Sequence, residues 1–371
     1  MFVRVVPRHA LQSAFTALGL LAATVLLLSY PAAMSTGISR GLSVCSSVII
    51  PTLYPFMLLA GVLTDSPLCR RPGRLTARVT GWLFGLPACC GPAILLSLVG
   101  GYPAGALAVG RLHKSKQITR EQMHRLSAFC VSGGPGFIIG TVGGGLLGSV
   151  RAGVLLFEAH TVVSLAMGIW QGRGHRREHF PPPSELSSPP RTAAGLMNDT
   201  CGALLTMCGF VLLASTVLSL CEALSLPHLL QRLSGLPASM WSAALAALLE
   251  VSSGCIALAG TGELAPLWLS LCMSWCGLSV QGQLAAALGE RGVLTAQFWG
   301  RRVLHGLISG ALALWLFRLF PVRLPTAAVS GMSVLPYTVS ATASFMLLLL
   351  TFLAMVYFSP KKTGKTESDV L

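Results

Sequence analysis

Charged side chains are rare in the apolar parts of this chain, and one acidic residue among them is conspicuous. Two long stretches, residues 79–110 and 239–262, carry no charged side chain apart from Glu250. An ionisable group inside a membrane is expensive and by default indicates function. We expect Glu250 either to bind a coupling proton or sodium ion, or to cap a helix, and the sequence leaves both readings open.

Both stretches are interrupted by residues that disfavour a plain helix. The interrupting residues are Gly100, Gly101, Tyr102, Pro103 and Gly105 in the first stretch, and Ser252, Ser253 and Gly254 in the second. A half-helix that begins at such a break exposes backbone N–H groups at the positive end of its dipole, and this end binds anions. The breaks therefore predict an anion site, with a kink filled by protein packing as the alternative.

Small and polar residues in two further apolar segments could complete this site. They are Ser132 and Gly133 in FCVSGGPGF (129–137), and Ser279, Gln281 and Gln283 in GLSVQGQ (277–283). Hydrogen-bonding side chains in a membrane span must avoid lipid, so they line a cavity or bridge helices. For Ser279 and the two glutamines we favour cavity lining.

Motifs for enzyme chemistry are absent from the sequence. It contains no HExxH pattern, and its eleven cysteines include no CxxC pair. GGGLLG (143–148) matches GxGxxG, but no strand precedes it, so a dinucleotide site is excluded. We expect no enzyme activity, no cofactor and no metal. The repeat Gly136, Gly140, Gly144 and Gly148 predicts instead one helix face that packs closely against another helix.

Composition places these residues in a membrane. Only 10% of the residues are charged and 53% are hydrophobic, whereas soluble domains carry about 25% charged residues. The net charge of +14 could suggest nucleic acid, but the chain has no RNP, zinc-finger or basic-helix pattern. We expect an all-α polytopic membrane protein with the lipid bilayer as a partner and no nucleic-acid partner.

About eight spans and two broken re-entrant hairpins account for the apolar sequence. The predicted spans are 11–29, 41–64, 126–150, 152–170, 199–226, 265–289, 303–320 and 342–358, with hairpins at 79–110 and 239–262. With both termini in the cytoplasm, all but five of the 26 basic residues fall on the inside, as the positive-inside rule requires. The exceptions are Arg40, Arg151, Arg232, Arg318 and Arg323.

An internal repeat follows from the order of similar segments. FMLLAGVL (56–63) matches FVLLASTVL (210–218), residues 95–108 match 248–260, and 129–137 match 271–279. The predicted topology gives the two halves opposite orientations, and paired broken segments are typical of transporters with inverted repeats. The expected organisation is an N-terminal part (1–40), a first half (41–170), a cytoplasmic linker (171–198), a second half (199–302) and a C-terminal part (303–371).

Four motifs in this order resemble a known family. GGYPAGALAVGRL (100–112), FCVSGGPGFIIGTVG (129–143), LLEVSSG (248–254) and GLSVQGQ (277–283) are similar to the sporulation integral membrane proteins of the YlbJ type, within the Gate, or nucleoside-recognition, superfamily. The resemblance covers about residues 41–320.

The resemblance implies a protein of endospore-forming bacteria, in the cell membrane or the mother-cell-derived outer forespore membrane. It further implies transport of a small anionic substrate, dipicolinate. Transport of nucleosides or other small solutes and a structural role in spore maturation remain alternatives, and the oligomeric state is left open between monomer and homo-oligomer.

Overall fold

The computed structural model describes residues 8–66, 74–175, 191–289 and 294–324, and these residues are helical with no strand among them. The α-helices are α1 (Arg8–Ser29), α2 (Pro31–Val44), α3 (Ile50–Asp65), α4 (Arg74–Phe84), α5 (Cys90–Lys114), α6 (Arg120–Cys130), α7 (Val150–Gly172), α8 (Ala193–Ala223), α9 (Leu226–Ser234), α10 (Ala238–Leu249), α11 (Val251–Leu258), α12 (Ala265–Trp275), α13 (Gly277–Leu288) and α14 (Ala296–Leu319). Two π-helical segments, Cys45–Ile49 and Gly136–Leu146, join α2 to α3 and follow α6.

The membrane class predicted from composition is confirmed. Within the described residues, six helical segments are long and apolar enough to cross a membrane. They are Pro31–Leu63, Cys90–Lys114, Val150–His175, Ala193–Ala223, Gly262–Leu288 and Ala296–Leu319. α1 covers the predicted first span, and the predicted span 342–358 lies outside the described residues.

α5 folds back on itself at Gly101. The backbone of Gly101 has φ 70° and ψ −155°, a combination that is essentially restricted to glycine. A Cβ atom built on Gly105 would lie 2.9 Å from Cβ of Ser97, although eight residues of continuous helix would separate them by about 12 Å. The two arms of α5, before and after Gly101, therefore form a hairpin, here named hairpin 1.

α10 and α11 form a second hairpin, hairpin 2, whose tip is Glu250. Glu250 has extended backbone angles (φ −146°, ψ 127°) between the two helices. A Cβ on Gly254 would lie 2.5 Å from Cα of Ala247, so the arms pack against each other. The sequence placed this break at Ser252–Gly254, whereas these residues form the first turn of α11.

Two predicted spans are wrong as continuous helices. Span 126–150 is interrupted at residues 131–135, between α6 and the second π-helical segment. Gly168 of α7 packs on Phe129 of α6, and Gly153 of α7 packs on Ile139 of the π-helical segment. α6 and the second π-helical segment therefore follow α7 in the same direction. The chain is interrupted at residues 131–135 but does not reverse there.

Span 265–289 is interrupted in the same way, at Cys276 between α12 and α13. Cys276 and Gly277 have φ values of 71° and 70°, which end one helix before the next begins. α12 packs along α14 through Leu271 and Leu267, and the far end of α13 packs on Gly110 of α5. The sequence signal for the first break was the Gly-Pro cluster 133–136. The second break depends on a left-handed cysteine, which residue propensities do not predict.

The ion pairs mark two opposite ends of the bundle. Asp199, near the start of α8, pairs with Arg111 and Arg191, while Glu222, near its end, pairs with Arg40. These two acidic residues are about 35 Å apart along a helix, which exceeds the roughly 30 Å hydrocarbon thickness of a bilayer. The basic residues in these pairs divide between the ends as the sequence predicted.

The predicted glycine face is wrong for two of its members. Cβ atoms built on Gly140 and Gly148 would meet nothing within 4 Å. Gly143 instead packs against the backbone of Gly153 in α7, and Gly136 packs against Thr52 and Phe56 in α3. The physical reason is the π-helical geometry of residues 136–146, whose wider turn takes residues four apart off a common face.

Candidate functional site

The tip of each hairpin rests on the break of the helix that follows it. Gly101 lies against Gly134, and a Cβ on Gly101 would lie only 2.6 Å from the Gly134 nitrogen. In the second half, a Cβ on Gly277 would lie 2.9 Å from Cα of Glu250. Four interruptions of the helical backbone are thereby brought into two matching contacts.

Tyr102 joins the first of these contacts to the second half of the chain. Its hydroxyl donates a 2.5 Å hydrogen bond to the carbonyl oxygen of Met273, near the end of α12. Carbonyl groups at the end of a helix have no partner within it, and the Tyr102 hydroxyl supplies one. The predicted site residue Tyr102 therefore links hairpin 1 to the α12–α13 break.

Arg302 of α14 is the functional candidate that sequence reasoning missed. Its guanidinium donates to the carbonyl of Ser274, to the carbonyl of Val131 at 2.5 Å and to Sγ of Cys276 at 2.7 Å. Val131 and Cys276 are the C-terminal cap residues of α6 and α12, where a cation is favourable for the helix dipole. Arg302 thus bridges the breaks of both halves.

The sequence placed Arg302 in a cytoplasmic loop before span 303–320, whereas the structure buries it inside α14 with 1% of it exposed. The predicted span began at residue 303, whereas α14 begins at Ala296, so that Arg302 is the seventh residue of the helix. An arginine this far into an apolar helix is expensive in lipid, so it faces the bundle interior.

His305, one turn beyond Arg302, extends the polar centre toward α7. Its Nδ1 lies 2.6 Å from Oγ of Ser274, and its Nε2 lies 2.9 Å from Oγ of Ser164 and 3.2 Å from the carbonyl oxygen of His160. The carbonyl can only accept, so Nε2 donates and Nδ1 accepts from Ser274 in the neutral ring. His305 consequently joins α14 to α7 and α12.

Glu250 is the N-terminal cap of α11. Oε1 accepts from the backbone N–H of Ser252 at 2.9 Å, and Oε2 accepts from that of Ser253 at 2.6 Å. The carboxylate is 2% exposed and compensates the positive end of the helix dipole. These two N–H groups, which were predicted to bind a substrate anion, are therefore occupied by Glu250, which matches the capping alternative.

The glutamines of α13 divide between the two roles left open by the sequence. Gln281 bridges helices, since its Nε2 donates to the Trp275 carbonyl and its Oε1 accepts from Trp299 Nε1, both at 3.0 Å. Gln283 lines a cavity beside the tip of hairpin 1. Buried Ser279 accepts from Nε2 of Gln283 at 3.4 Å, so Ser279 lies next to the cavity residue.

The remaining predicted site residues are buried at the breaks or the hairpins. Gly100 packs on Ala60 of α3, and Gly105 packs on the carbonyl of Cys130. Gly133 contacts Ile138, and Ser132 is 8% exposed within the α6 break. Gly254 lies against Cys272. Each glycine serves a close approach of helices.

Two neighbouring cavities lead from the tip of hairpin 1 to one end of the bundle. The inner cavity, about 250 Å³, is lined by Tyr102, Val131 and Gln283. The outer cavity, about 430 Å³, is lined by Arg111 and Arg191. Leu107, Ala203 and Thr206 line both, so the cavities are adjacent. The outer volume falls within the range of small-molecule pockets, about 300–1,000 Å³.

The charges of the outer cavity are held in a network. Arg191 Nε lies 2.9 Å from Oδ2 of Asp65, and its Nη1 lies 3.0 Å from Oδ2 of Asp199. Arg111 Nη2 lies 3.3 Å from the same oxygen of Asp199, and both of these side chains are more than 40% exposed. An ion pair this exposed contributes little net stability.

The sequence shows extended similarity to a known membrane protein. Over 327 residues the chain is 26% identical to the sporulation integral membrane protein YlbJ of Bacillus subtilis (strain 168), with 80% of each chain covered. This similarity supports a YlbJ-type homologue. It confirms the resemblance that the four motifs indicated. No family model matches the chain, and no solved structure matches it significantly.

Proposed function

We propose that this protein is a membrane transporter for a small anionic metabolite, with dipicolinate as the first candidate substrate, acting during endospore formation. The observation that carries the proposal is the contact of four backbone breaks beside a cavity that starts at Tyr102. Non-helical backbone at membrane depth is tolerated where it is buried or lines a wet cavity, and such breaks form the binding sites of many transporters.

An inverted repeat of re-entrant hairpins is the topology that fits the order of elements. Each half has a long helix, a short helix, a hairpin, a broken helix and a further long helix. A hairpin returns to the side from which it entered, so three crossings remain per half. An odd number of crossings reverses the second half relative to the first, which supports a pseudo-two-fold axis in the membrane plane.

The substrate would enter through the outer cavity. Arg111 and Arg191 line its wall together with Asp199, and arginine suits carboxylate because its planar fork binds two oxygens at once. Arg111 exchanges its weak pair with Asp199 for the incoming anion. The substrate then passes Thr206, which lines both cavities, toward the Gln283 amide and the Tyr102 tip.

The sporulation context rests on the relative and on the motif resemblance. The Bacillus subtilis relative is by name a sporulation integral membrane protein, and dipicolinate is the substrate implied by the YlbJ-type resemblance. The bacterial cell membrane or the outer forespore membrane is the proposed location, with the charged end of the outer cavity facing the cytoplasm. A proton or sodium ion is the proposed coupling ion.

Uptake into proteoliposomes tests the proposal directly. We expect saturable uptake of labelled dipicolinate in preference to labelled nucleosides, measured with and without a proton gradient. Arg111→Gln and Gln283→Leu should each weaken substrate affinity by roughly 5- to 150-fold, the equivalent of one lost hydrogen bond of about 1–3 kcal/mol. Arg318→Gln, on the exposed surface at the opposite end, is the matched control.

Other outcomes separate the alternatives. Preferential nucleoside uptake would replace the substrate while keeping the site. Absence of all uptake by a folded, correctly inserted protein would favour a structural role in spore maturation.

A further inference from the structure

The guanidinium of Arg302 occupies the position at which two broken helices end. It donates to the carbonyl oxygen of Val131 at 2.5 Å, to Sγ of Cys276 at 2.7 Å and to the carbonyl oxygen of Ser274. Val131 and Cys276 are the C-terminal cap residues of α6 and α12, so the negative ends of two helix dipoles meet here. Such a position favours a cation, whichever molecule carries the charge.

The acceptors around the guanidinium form one compact group. Sγ of Cys276 lies 3.1 Å from the carbonyl oxygen of Ser274. The carbonyl groups of Met273 and Trp275, on either side of Ser274, accept hydrogen bonds from other side chains at 2.5 and 3.0 Å. The group around Arg302 is therefore left to a single cation.

No carboxylate among the described residues forms an ion pair with Arg302. The ion pairs in this part of the chain involve Arg40, Arg111, His175 and Arg191 instead. An arginine is almost never fully buried unless it is paired, yet Arg302 is 1% exposed and has two backbone carbonyls and a thiol as its partners. Carbonyl oxygens at the ends of broken helices are ligands of an alkali cation.

The C-terminal ends of broken helices and their unwound carbonyls coordinate Na⁺ in transporters. We propose that Arg302 is a tethered cation that fills a site of this kind, so that transport needs no sodium ion. Of the two coupling ions proposed above, this leaves the proton. The consequence for uptake rests on the proposed transport function, whereas the cation site itself does not. Val131, whose carbonyl binds Arg302, also lines the inner cavity, so a permanent positive charge lies next to the proposed substrate path.

Thermal unfolding of Arg302→Ala in detergent tests the site without any transport. Alanine vacates the position, so sodium ions should raise the midpoint by roughly 3–6 °C at about ten times their Kd, compared with choline at equal ionic strength. Guanidinium ions at a non-denaturing concentration should also raise it. The wild type should not respond to sodium, and neither should Arg302→Lys, whose ammonium group remains in the site. Arg318→Ala, an exposed change near the other end of α14, is the matched control.

Arg302→Gln carries the test if Arg302→Ala yields no folded protein. The glutamine amide nitrogen reaches about as far as Nε of arginine and can keep the bond to Ser274. It vacates the positions of both terminal guanidinium nitrogens, next to Val131 and Cys276. Sodium should therefore raise the midpoint of this variant over choline as well.

Equal midpoints in sodium and choline for the folded variants would overturn the proposal. So would a response to guanidinium alone, because the position would then fit only the arginine head group, and so would an equal sodium response of the wild type. Uptake of labelled dipicolinate by wild-type proteoliposomes should be the same in sodium and in choline, and uptake that requires sodium would also overturn the tethered cation. Absence of uptake in every buffer would instead refute the proposed transport, and the midpoints would still decide the cation site.

Discussion

Replacement of Arg302 by Met should strongly destabilise the fold. Methionine keeps much of the apolar volume but removes the donors to the carbonyls of Ser274 and Val131 and to the Cys276 sulfur. A buried acceptor left without a partner costs about 1–3 kcal/mol, so the two carbonyls together predict a loss of about 2–6 kcal/mol. Arg302→Lys keeps the charge but not the planar fork of donors, and its loss should be intermediate.

The free energy of unfolding in detergent, measured by denaturant titration, checks this prediction. The matched control is Arg318→Met, an exposed change near the other end of α14, for which an effect within about 0.5 kcal/mol is expected. If Arg302→Met also unfolds within about 0.5 kcal/mol of the wild type, then Arg302 does not hold the breaks together. The assignment of a positioning role to Arg302 would then be abandoned.

Three further changes test the backbone contacts and the topology. Gly101→Ala should reduce folded yield, because φ is positive there and the new Cβ would meet Gly134 at 2.6 Å; normal yield would show that the tip is loosely packed. Gly143→Leu should lower thermal stability in detergent, whereas Gly140→Leu should not, since open space surrounds the Cβ position of Gly140. The reverse order would support the packing face that was predicted from the glycine spacing. An impermeant thiol reagent should label Ser225→Cys in intact cells and Ser115→Cys only after lysis, and the opposite pattern would reject a cytoplasmic location for the Arg111 end.

The class of the protein and the tips of its hairpins were accessible from sequence, for a simple reason. Gly, Ser and Pro are unusual in an uncharged apolar stretch, and an acidic residue there is more unusual still. These exceptions led to Gly101 and Glu250, which are the tips of hairpins 1 and 2. The tip of hairpin 2 lies two to four residues before the expected break. The match between the two stretches rested on shared apolar residues and not on backbone conformation.

The helix breaks after α6 and α12 could not be located in the same way. A left-handed cysteine at position 276 is costly in isolation, and tertiary contacts must stabilise it. Arg302 supplies such contacts from α14, 26 residues further along the chain. Hydropathy therefore predicted these two spans without interruptions. It also placed Arg302, which joins the two breaks, in a loop.

The distribution of charge over the breaks changes where an anion would be expected to bind. Arg302 lies at the C-terminal ends of α6 and α12, and Glu250 lies at the N-terminal end of α11. In each case the protein's own side chain opposes the helix dipole, so Glu250 would repel a substrate anion from the tip of hairpin 2. We therefore expect the anion selectivity of the proposed transport to depend on Arg111 and the cavity beside Tyr102. Substitution of Glu250 should affect stability before it affects substrate affinity, because its carboxylate oxygens hold the first turn of α11.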